Sequence, residues 1–123
     1  MQELRIEFCK IKLLPAGAFQ GLHSLTTLVV QGHNSEWSGS MTMQIQADTL
    51  RHLDKLETLD LADNNIWGLP EGSLCHTPAL NSLNLSRNNI VEVSEIGLSG
   101  EMCQLLRLKT LDLSFNKISS FLP

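Results

Sequence analysis

LETLDLADNNI, from Leu56 to Ile66, is the stretch that decides the fold. Reduced to its apolar and amide positions, it reads L-x-x-L-x-L-x-x-N-x-I. The same pattern returns as LNSLNLSRNNI at residues 80–90 and as LKTLDLSFNKI at residues 108–118. Internal self-similarity outranks every other signal in a sequence, because it indicates one structural unit used repeatedly. These three copies predict an array of stacked units.

Two further copies precede these three. Counted from the first apolar position of the pattern, the copies begin at Met1, Leu25, Leu56, Leu80 and Leu108. A spacing of 24 residues separates the first two starts, and the same spacing separates the third and fourth. The two longer spacings predict insertions within residues 33–43 and near residues 99–102. We expect residues 1–123 to form a single domain.

This pattern is the signature of leucine-rich repeats. Each x-L-x-L segment is expected to form a short strand whose leucines face inward while the alternate residues face solvent. The predicted fold is an α/β solenoid, a leucine-rich-repeat horseshoe segment with a parallel β-sheet on its concave face and about 4.5 coils. Neither end of the sequence shows a capping unit. We therefore expect an uncapped core whose open ends can self-associate.

The asparagine of each copy has a predicted structural role. Its carboxamide carries both donors and an acceptor, so inside a coil it can satisfy backbone groups that the turn after the strand leaves unpaired. On successive coils these side chains are expected to stack as a ladder made of Asn64, Asn88 and Asn116. Cys9 takes the equivalent position in the first copy as a weaker substitute.

Two cysteines share a position in the repeat. Cys75 and Cys103 each lie five residues before the start of the next copy. Equivalent positions on adjacent coils are about 5 Å apart, which is within the Cα separation that a disulfide accepts. We predict a Cys75–Cys103 disulfide, which implies an oxidising compartment. The alternative is a pair of buried thiols in a reduced protein.

Composition argues against several classes of partner and activity. The net charge is -4, which gives no reason to expect a nucleic acid or an anionic membrane as partner. No apolar run approaches the roughly 20 residues of a membrane span. The polar start of the chain is unlike a signal peptide, so either the protein is cytosolic or its targeting segments lie outside this chain.

Catalysis and metal binding find no support in the sequence. No Ser/His/Asp or Cys/His set shares a strand end and no glycine-rich phosphate loop occurs, so we expect no enzyme and no cofactor. His52 and His76 occupy equivalent repeat positions, but a metal needs further ligands that this pair lacks. Solvated surface histidines are the better interpretation.

The outward-facing positions of the strands form a candidate binding surface that is small, polar and mildly acidic. Its nominated residues are Arg5, Glu7, Asp60, Asp63, Arg87 and Asp112. The insertion within residues 33–43 offers a second candidate, a protruding loop with Trp37 as an aromatic anchor beside Glu36. A tolerated surface insertion is the simpler interpretation of that loop. The sequon at Asn84 makes this residue a candidate glycosylation site on the sheet.

The segments IEFCKI, HNSEWS and NNIWGLP, with the Leu74-Cys75 pair, resemble the N-terminal ectodomain repeats of insect Toll-family (Toll-like) receptors. The resemblance implies an extracellular location, either on the plasma membrane as part of a longer receptor or as a secreted form. It also implies a protein ligand of the cystine-knot cytokine type, or another receptor chain, in innate immune or developmental signalling. The family's cysteines at the positions of Cys75 and Cys103 agree with the pairing argued from register.

Two other functions stay open. One is a structural or adhesion leucine-rich-repeat protein without receptor signalling, and the other is a cytosolic repeat adaptor. Free thiols throughout the chain would favour the adaptor. The sequence identifies neither the ligand nor the surface, sheet or loop, that binds it.

Overall fold

The structure is a computed structural model, and it describes residues 2–7, 12–32, 43–70, 72–91 and 108–118. The strands within these residues are β1 (Gln2–Glu7), β2 (Leu13–Leu14), β3 (Leu25–Gln31), β4 (Gln44–Ile45), β5 (Thr58–Asp60), β6 (Ser82–Asn84) and β7 (Thr110–Asp112). A 3-10 helix, η1, spans Ser73–His76.

One strand from each of the five sequence copies enters a parallel sheet with the order β1-β3-β5-β6-β7. The inward leucines stand directly opposite one another across the strands, in the register Leu4, Leu28, Leu59, Leu83 and Leu111. A one-residue slip would turn every leucine to the solvent face, so the apolar pattern alone specifies this register. The predicted parallel-sheet solenoid is confirmed.

A second, two-stranded sheet pairs β2 with β4 in parallel, with Leu13 opposite Gln44 and Leu14 opposite Ile45. It joins the first two coils beyond the main sheet. Elsewhere the described part of each coil returns through turns and through η1. Within the described residues we find no α-helix, so turns and a 3-10 segment take the place expected for helices in an α/β solenoid.

Leucine side chains fill the core between the sheet and the returning segments. Leu59 and Leu83, on inner strands, are 0% exposed, whereas Leu111 on β7 is 38% exposed. An inner strand is covered by a neighbour on each side, and burying a leucine side chain contributes about 1.5–3 kcal/mol. The inner coils therefore contribute most of the apolar burial, while Leu4 on β1 is only partly buried against the core.

Candidate protein-binding surface

One row of residues at the outward positions of the strands crosses the whole five-stranded sheet, although its second member, Val29, is only 4% exposed. Its members stand in register on adjacent strands and are Arg5, Val29, Asp60, Asn84 and Asp112. We call them the central row. Adjacent members are separated by one strand spacing, about 4.8 Å. The structure thus aligns three of the nominated residues with the sequon asparagine.

Three members of the central row are oriented by their own backbone. Each accepts a hydrogen bond from the backbone N–H two residues later: Ala62 to Asp60 Oδ1 (3.0 Å), Ser86 to Asn84 Oδ1 (2.9 Å) and Ser114 to Asp112 Oδ1 (2.9 Å). Aspartate and asparagine favour such local turns, which here follow the strand ends. The remaining terminal atom of each side chain consequently has a defined position.

A left-handed turn follows on three successive coils. The residue before each repeat asparagine has a positive φ, with values of 61° at Asp63, 58° at Arg87 and 57° at Phe115. The backbone N–H of Asp63 donates to the Ser86 carbonyl (3.0 Å), and that of Arg87 donates to the Ser114 carbonyl (2.9 Å). Coil-to-coil bonding therefore continues past the ends of the strands and keeps these turns stacked.

Arg87 and Phe115 form a pair on that stacked edge. The guanidinium carbon of Arg87 lies 5.1 Å from the centroid of the Phe115 ring, within the range of a cation–π contact. The Phe115 residue is 76% exposed. Arginine and aromatic side chains are the types enriched at the energetic centres of protein interfaces.

A polar depression of about 270 Å³ lies between the central row and this edge. Its lining residues are Gln31, Ala62, Asp63, Asn84, Ser86 and Arg87. The buried residues among them, Ala62 and Ser86, have small side chains, which is why space remains. At its border the Gln31 Nε2 donates to Asp60 Oδ2 (2.8 Å).

The nominated residues of β1 are engaged with each other rather than with this depression. Arg5 Nε contacts Glu3 at 2.5 Å, and Arg5 Nη1 lies 3.8 Å from Glu7. The hydrogen bond that Arg5 donates to Glu3 is the main cause that raises the pKa of Arg5 above its ordinary value. At the far strand, hydrogen bonds from the Ser114 hydroxyl and backbone lower the pKa of Asp112.

The repeat asparagines lie inside the coils. Asn64 and Asn88 are buried, and Asn116 is half-buried. Asn64 accepts from the Gly32 backbone N–H (2.6 Å) and donates to the Val30 carbonyl of the preceding coil (2.6 Å). Asn116 likewise accepts from the Ile90 N–H (3.0 Å). Each carboxamide therefore bonds the backbone of the coil before it.

Several nominated residues lie outside the described part of the chain, namely Cys9, Glu36, Trp37 and Cys103. Cys75 is disulfide-bonded. Its pairing with Cys103 and the role of Cys9 in the ladder stay predictions, as does the binding loop carrying Trp37.

The two histidines do not create a metal site in the described region. His76 Nε2 lies 3.4 Å from Asp48 Oδ1, and His52 is exposed. Among the residues that the structure describes, no three His, Cys, Asp or Glu side chains group so that they could hold a metal ion. In the same ranges, no helix has both the length and the apolar character needed to cross a membrane.

Sequence reasoning did not nominate three residues that shape the surface, namely Gln31, Ser86 and Phe115. Ser86 lies two residues before Asn88, Phe115 lies one before Asn116, and Gln31 lies two before His33, which replaces the asparagine in the second copy. These repeat positions were available as a signal. Trp67, which is 53% exposed, was also not nominated as a binding residue. It directly follows Ile66, the apolar residue that ends the repeat pattern. Tryptophan is enriched at protein interfaces, so an exposed tryptophan at a polar repeat position is informative.

Comparison with known proteins agrees with this architecture. Two leucine-rich-repeat family models match residues 39–90 and 107–123. The chain is 38% identical to Toll-like receptor 7 of Drosophila melanogaster over 98% of its own length, and it spans 9% of that receptor. It is 28% identical to fibromodulin of Sus scrofa, covering 96% of this chain and 87% of that one.

Among solved structures, human 5T4 (Wnt-activated inhibitory factor 1, trophoblast glycoprotein) aligns with a TM-score of 0.46 and 20% identity, over 93% of this chain and 60% of that one. The in-register strands and the two matching family models carry the conclusion. The chain is built from leucine-rich repeats that stack as a solenoid.

Proposed function

We propose that this chain binds a protein partner as part of the extracellular domain of a Toll-like receptor. The partner is a protein ligand, of the cystine-knot cytokine type that the resemblance implies, or another receptor chain. Leucine-rich repeats generally bind proteins through the extended surface that stacking creates. The 38% identity to an insect Toll-like receptor over nearly the whole chain favours a receptor among leucine-rich-repeat proteins.

The central row is the observation that carries the binding role. Asp60, Asn84 and Asp112 stand on adjacent strands and are each held by a hydrogen bond from their own backbone. A surface whose side chains are already oriented loses little conformational entropy on binding, which favours affinity. The sheet surface is therefore our proposed binding face, ahead of the loop that carries Trp37.

An extracellular location is part of the same proposal. Cys75 is disulfide-bonded, and disulfides persist in oxidising compartments. This supports the receptor and argues against the cytosolic adaptor. We propose no enzymatic activity, and binding by itself is the role assigned to this chain in innate immune or developmental signalling.

A structural or adhesion role is the second candidate. The observation that favours it is the alignment with fibromodulin, which extends over 87% of that chain, although at 28% identity. Such a role would also use the sheet surface. The two candidates differ in the partner they require, a soluble ligand or receptor chain in one case and an insoluble matrix in the other.

A binding experiment separates the proposals. The chain, produced by secretion, is tested by surface plasmon resonance against a panel of purified cystine-knot cytokines and receptor ectodomains, and by co-sedimentation against insoluble matrix. Binding to a panel member is the expected result. The double variant Asp60→Lys/Asp112→Lys should then weaken that binding at least about tenfold, because each reversed charge costs more than 1 kcal/mol in a complementary interface.

Two matched variants locate the interface. Asp54→Lys makes the same charge reversal at an exposed position away from the sheet and should leave the affinity within about twofold. Trp37→Ala should also leave it unchanged. Loss of binding only in the Trp37 variant would move the interface to the loop. Sedimentation with matrix and no panel binding would replace the receptor by the structural role.

A further inference from the structure

The Asp60 carboxylate, beside the depression between the central row and the Arg87 edge, already has a hydrogen-bond donor for each of its oxygens. Asp60 accepts through both oxygens, from the Ala62 N–H (3.0 Å) and from Gln31 Nε2 (2.8 Å). Asp63 is also engaged in an interaction. Both Asp60 oxygens therefore already accept a hydrogen bond from within the chain.

Three of the donors around the same depression, in contrast, have no acceptor among the described residues. The Oδ1 of Asn84 accepts from Ser86, which orients the amide so that its Nδ2 is left as a donor. Within the described ranges, neither this Nδ2 nor the Ser86 hydroxyl donates to an acceptor, and the Arg87 guanidinium has no carboxylate within ion-pair distance. Three kinds of donor thus border one space, and none of them donates to an acceptor among the described residues.

We propose that this depression binds the carboxylate of a glutamate or aspartate side chain presented by the protein partner. A carboxylate offers several acceptor lone pairs, and the planar fork of an arginine binds it through two parallel hydrogen bonds. Arg87 supplies that fork, while Asn84 Nδ2 and the Ser86 hydroxyl supply further donors. The inference rests on the proposed function, because it names the partner chemistry at the same sheet surface.

Phe115 prepares Arg87 for this role. Its ring lies 5.1 Å from the guanidinium carbon, so it restricts the arginine without using its hydrogen-bonding edge. A guanidinium held in place loses less entropy when it binds an anion. The aromatic face is also exposed and can pack against apolar atoms of the segment that carries the carboxylate.

A glycan at Asn84 and this proposal exclude each other. A glycan would be attached to the same Nδ2 and would cover the depression. The first measurement is therefore the intact mass of the chain secreted from eukaryotic cells. A mass without added sugar is expected, and a fully glycosylated Asn84 would overturn the proposal.

NMR titration with small probes tests the chemistry directly, without a known partner. The probe is N-acetyl-glutamate methylamide, and the observed signals are the Arg87 Nε–H and the Asn84 side-chain amide. Saturable shifts of both are expected. The neutral glutamine analogue should bind about tenfold more weakly, because a charge-assisted hydrogen bond is roughly twice as strong as a neutral one.

The lysine analogue is the opposing probe. If it shifts these signals while the glutamate probe does not, the depression binds cations and the proposal is wrong. Arg87→Lys keeps the charge and removes the fork, so it should weaken the glutamate probe about tenfold. Arg51→Lys is the matched control, since this exposed arginine borders a different depression, and it should change nothing.

The design also separates this inference from the proposed function. If Asp60→Lys/Asp112→Lys abolishes partner binding while the glutamate probe produces no shift, the sheet surface binds protein by other chemistry and only the inference fails. If no sheet variant alters partner binding, the proposed function fails at this surface. Probe shifts that vanish in Arg87→Lys would then still support the carboxylate site.

Discussion

Asn88 bonds the backbone around Asn64, its counterpart on the preceding coil. The Asn88 Oδ1 accepts from the backbone N–H of Asn64 (3.0 Å) and of Ile66 (2.9 Å), while its Nδ2 donates to the Leu61 carbonyl (3.0 Å). One side chain therefore pairs three backbone groups of another coil. Without it, the two N–H groups would lie inside the protein without this acceptor, while the Leu61 carbonyl would keep the hydrogen bond from Asn64 Nδ2 (2.9 Å).

Replacing either asparagine should destabilise the solenoid. Asn64→Ala and Asn88→Ala are each expected to lower the free energy of unfolding by about 1–3 kcal/mol, because buried backbone groups lose their partner. Urea unfolding followed by circular dichroism measures the change. Asn81→Ala is the matched control, since no side-chain hydrogen bond of Asn81 occurs among the described residues. Parent-like unfolding of both variants would refute the ladder.

Core leucines should differ from surface leucines in the same assay. Leu59→Ala and Leu83→Ala, at residues that are 0% exposed, are each expected to cost about 2–5 kcal/mol through lost burial and a residual cavity. Leu13→Ala is the control, because Leu13 is 42% exposed and most of its surface already meets water. An equal loss of stability at all three positions would contradict the assigned inward and outward faces.

The pKa of Asp112 depends on Ser114. The Ser114 hydroxyl bonds Asp112 Oδ1 (2.6 Å) and, with the backbone N–H, lowers the pKa of this carboxyl. Because the folded pKa is depressed, the stabilisation is present above the unfolded pKa and is lost as the pH falls through the folded pKa. Ser114→Ala should raise the pKa of Asp112 while leaving it below its ordinary value.

A carbon-detected NMR titration of the Asp112 carboxyl measures this shift. Ser82→Ala, on the neighbouring strand, removes a hydroxyl that makes no hydrogen bond within the described residues and serves as the control. An Asp112 pKa that is the same in the parent and in Ser114→Ala would show that the hydroxyl does not stabilise the carboxylate.

The disulfide prediction can be checked on the secreted chain. Thiol labelling followed by intact mass should find one reactive cysteine, Cys9, and a peptide map should link Cys75 to Cys103. Cys75→Ser should leave two labelled thiols. Three labelled thiols in the parent would contradict both the pairing and the extracellular location, and would favour the cytosolic adaptor.

The main sheet was predictable because a repeat makes its own long-range contacts. Once Leu59 and Leu83 occupy the same position in two copies, stacking the copies places them opposite each other, and a one-residue slip would turn the leucines to the solvent face. The sheet of β2 and β4 was not predicted. It forms in the second half of the first two coils, where Leu14 and Ile45 occupy equivalent repeat positions but only two residues of each coil are extended.

By itself, the sequence determined the parallel strands, the inward leucines and the row on which Asp60, Asn84 and Asp112 stand, because these follow from the period alone. Only the tertiary structure decided which atoms of that row stay available to form hydrogen bonds with a partner. Gln31 lies 29 residues from Asp60 and occupies its second oxygen. Arg87 meets Phe115 where both backbones take a left-handed turn after their strands. A period specifies position, whereas hydrogen-bond partners depend on local dihedral angles and on side chains of other coils.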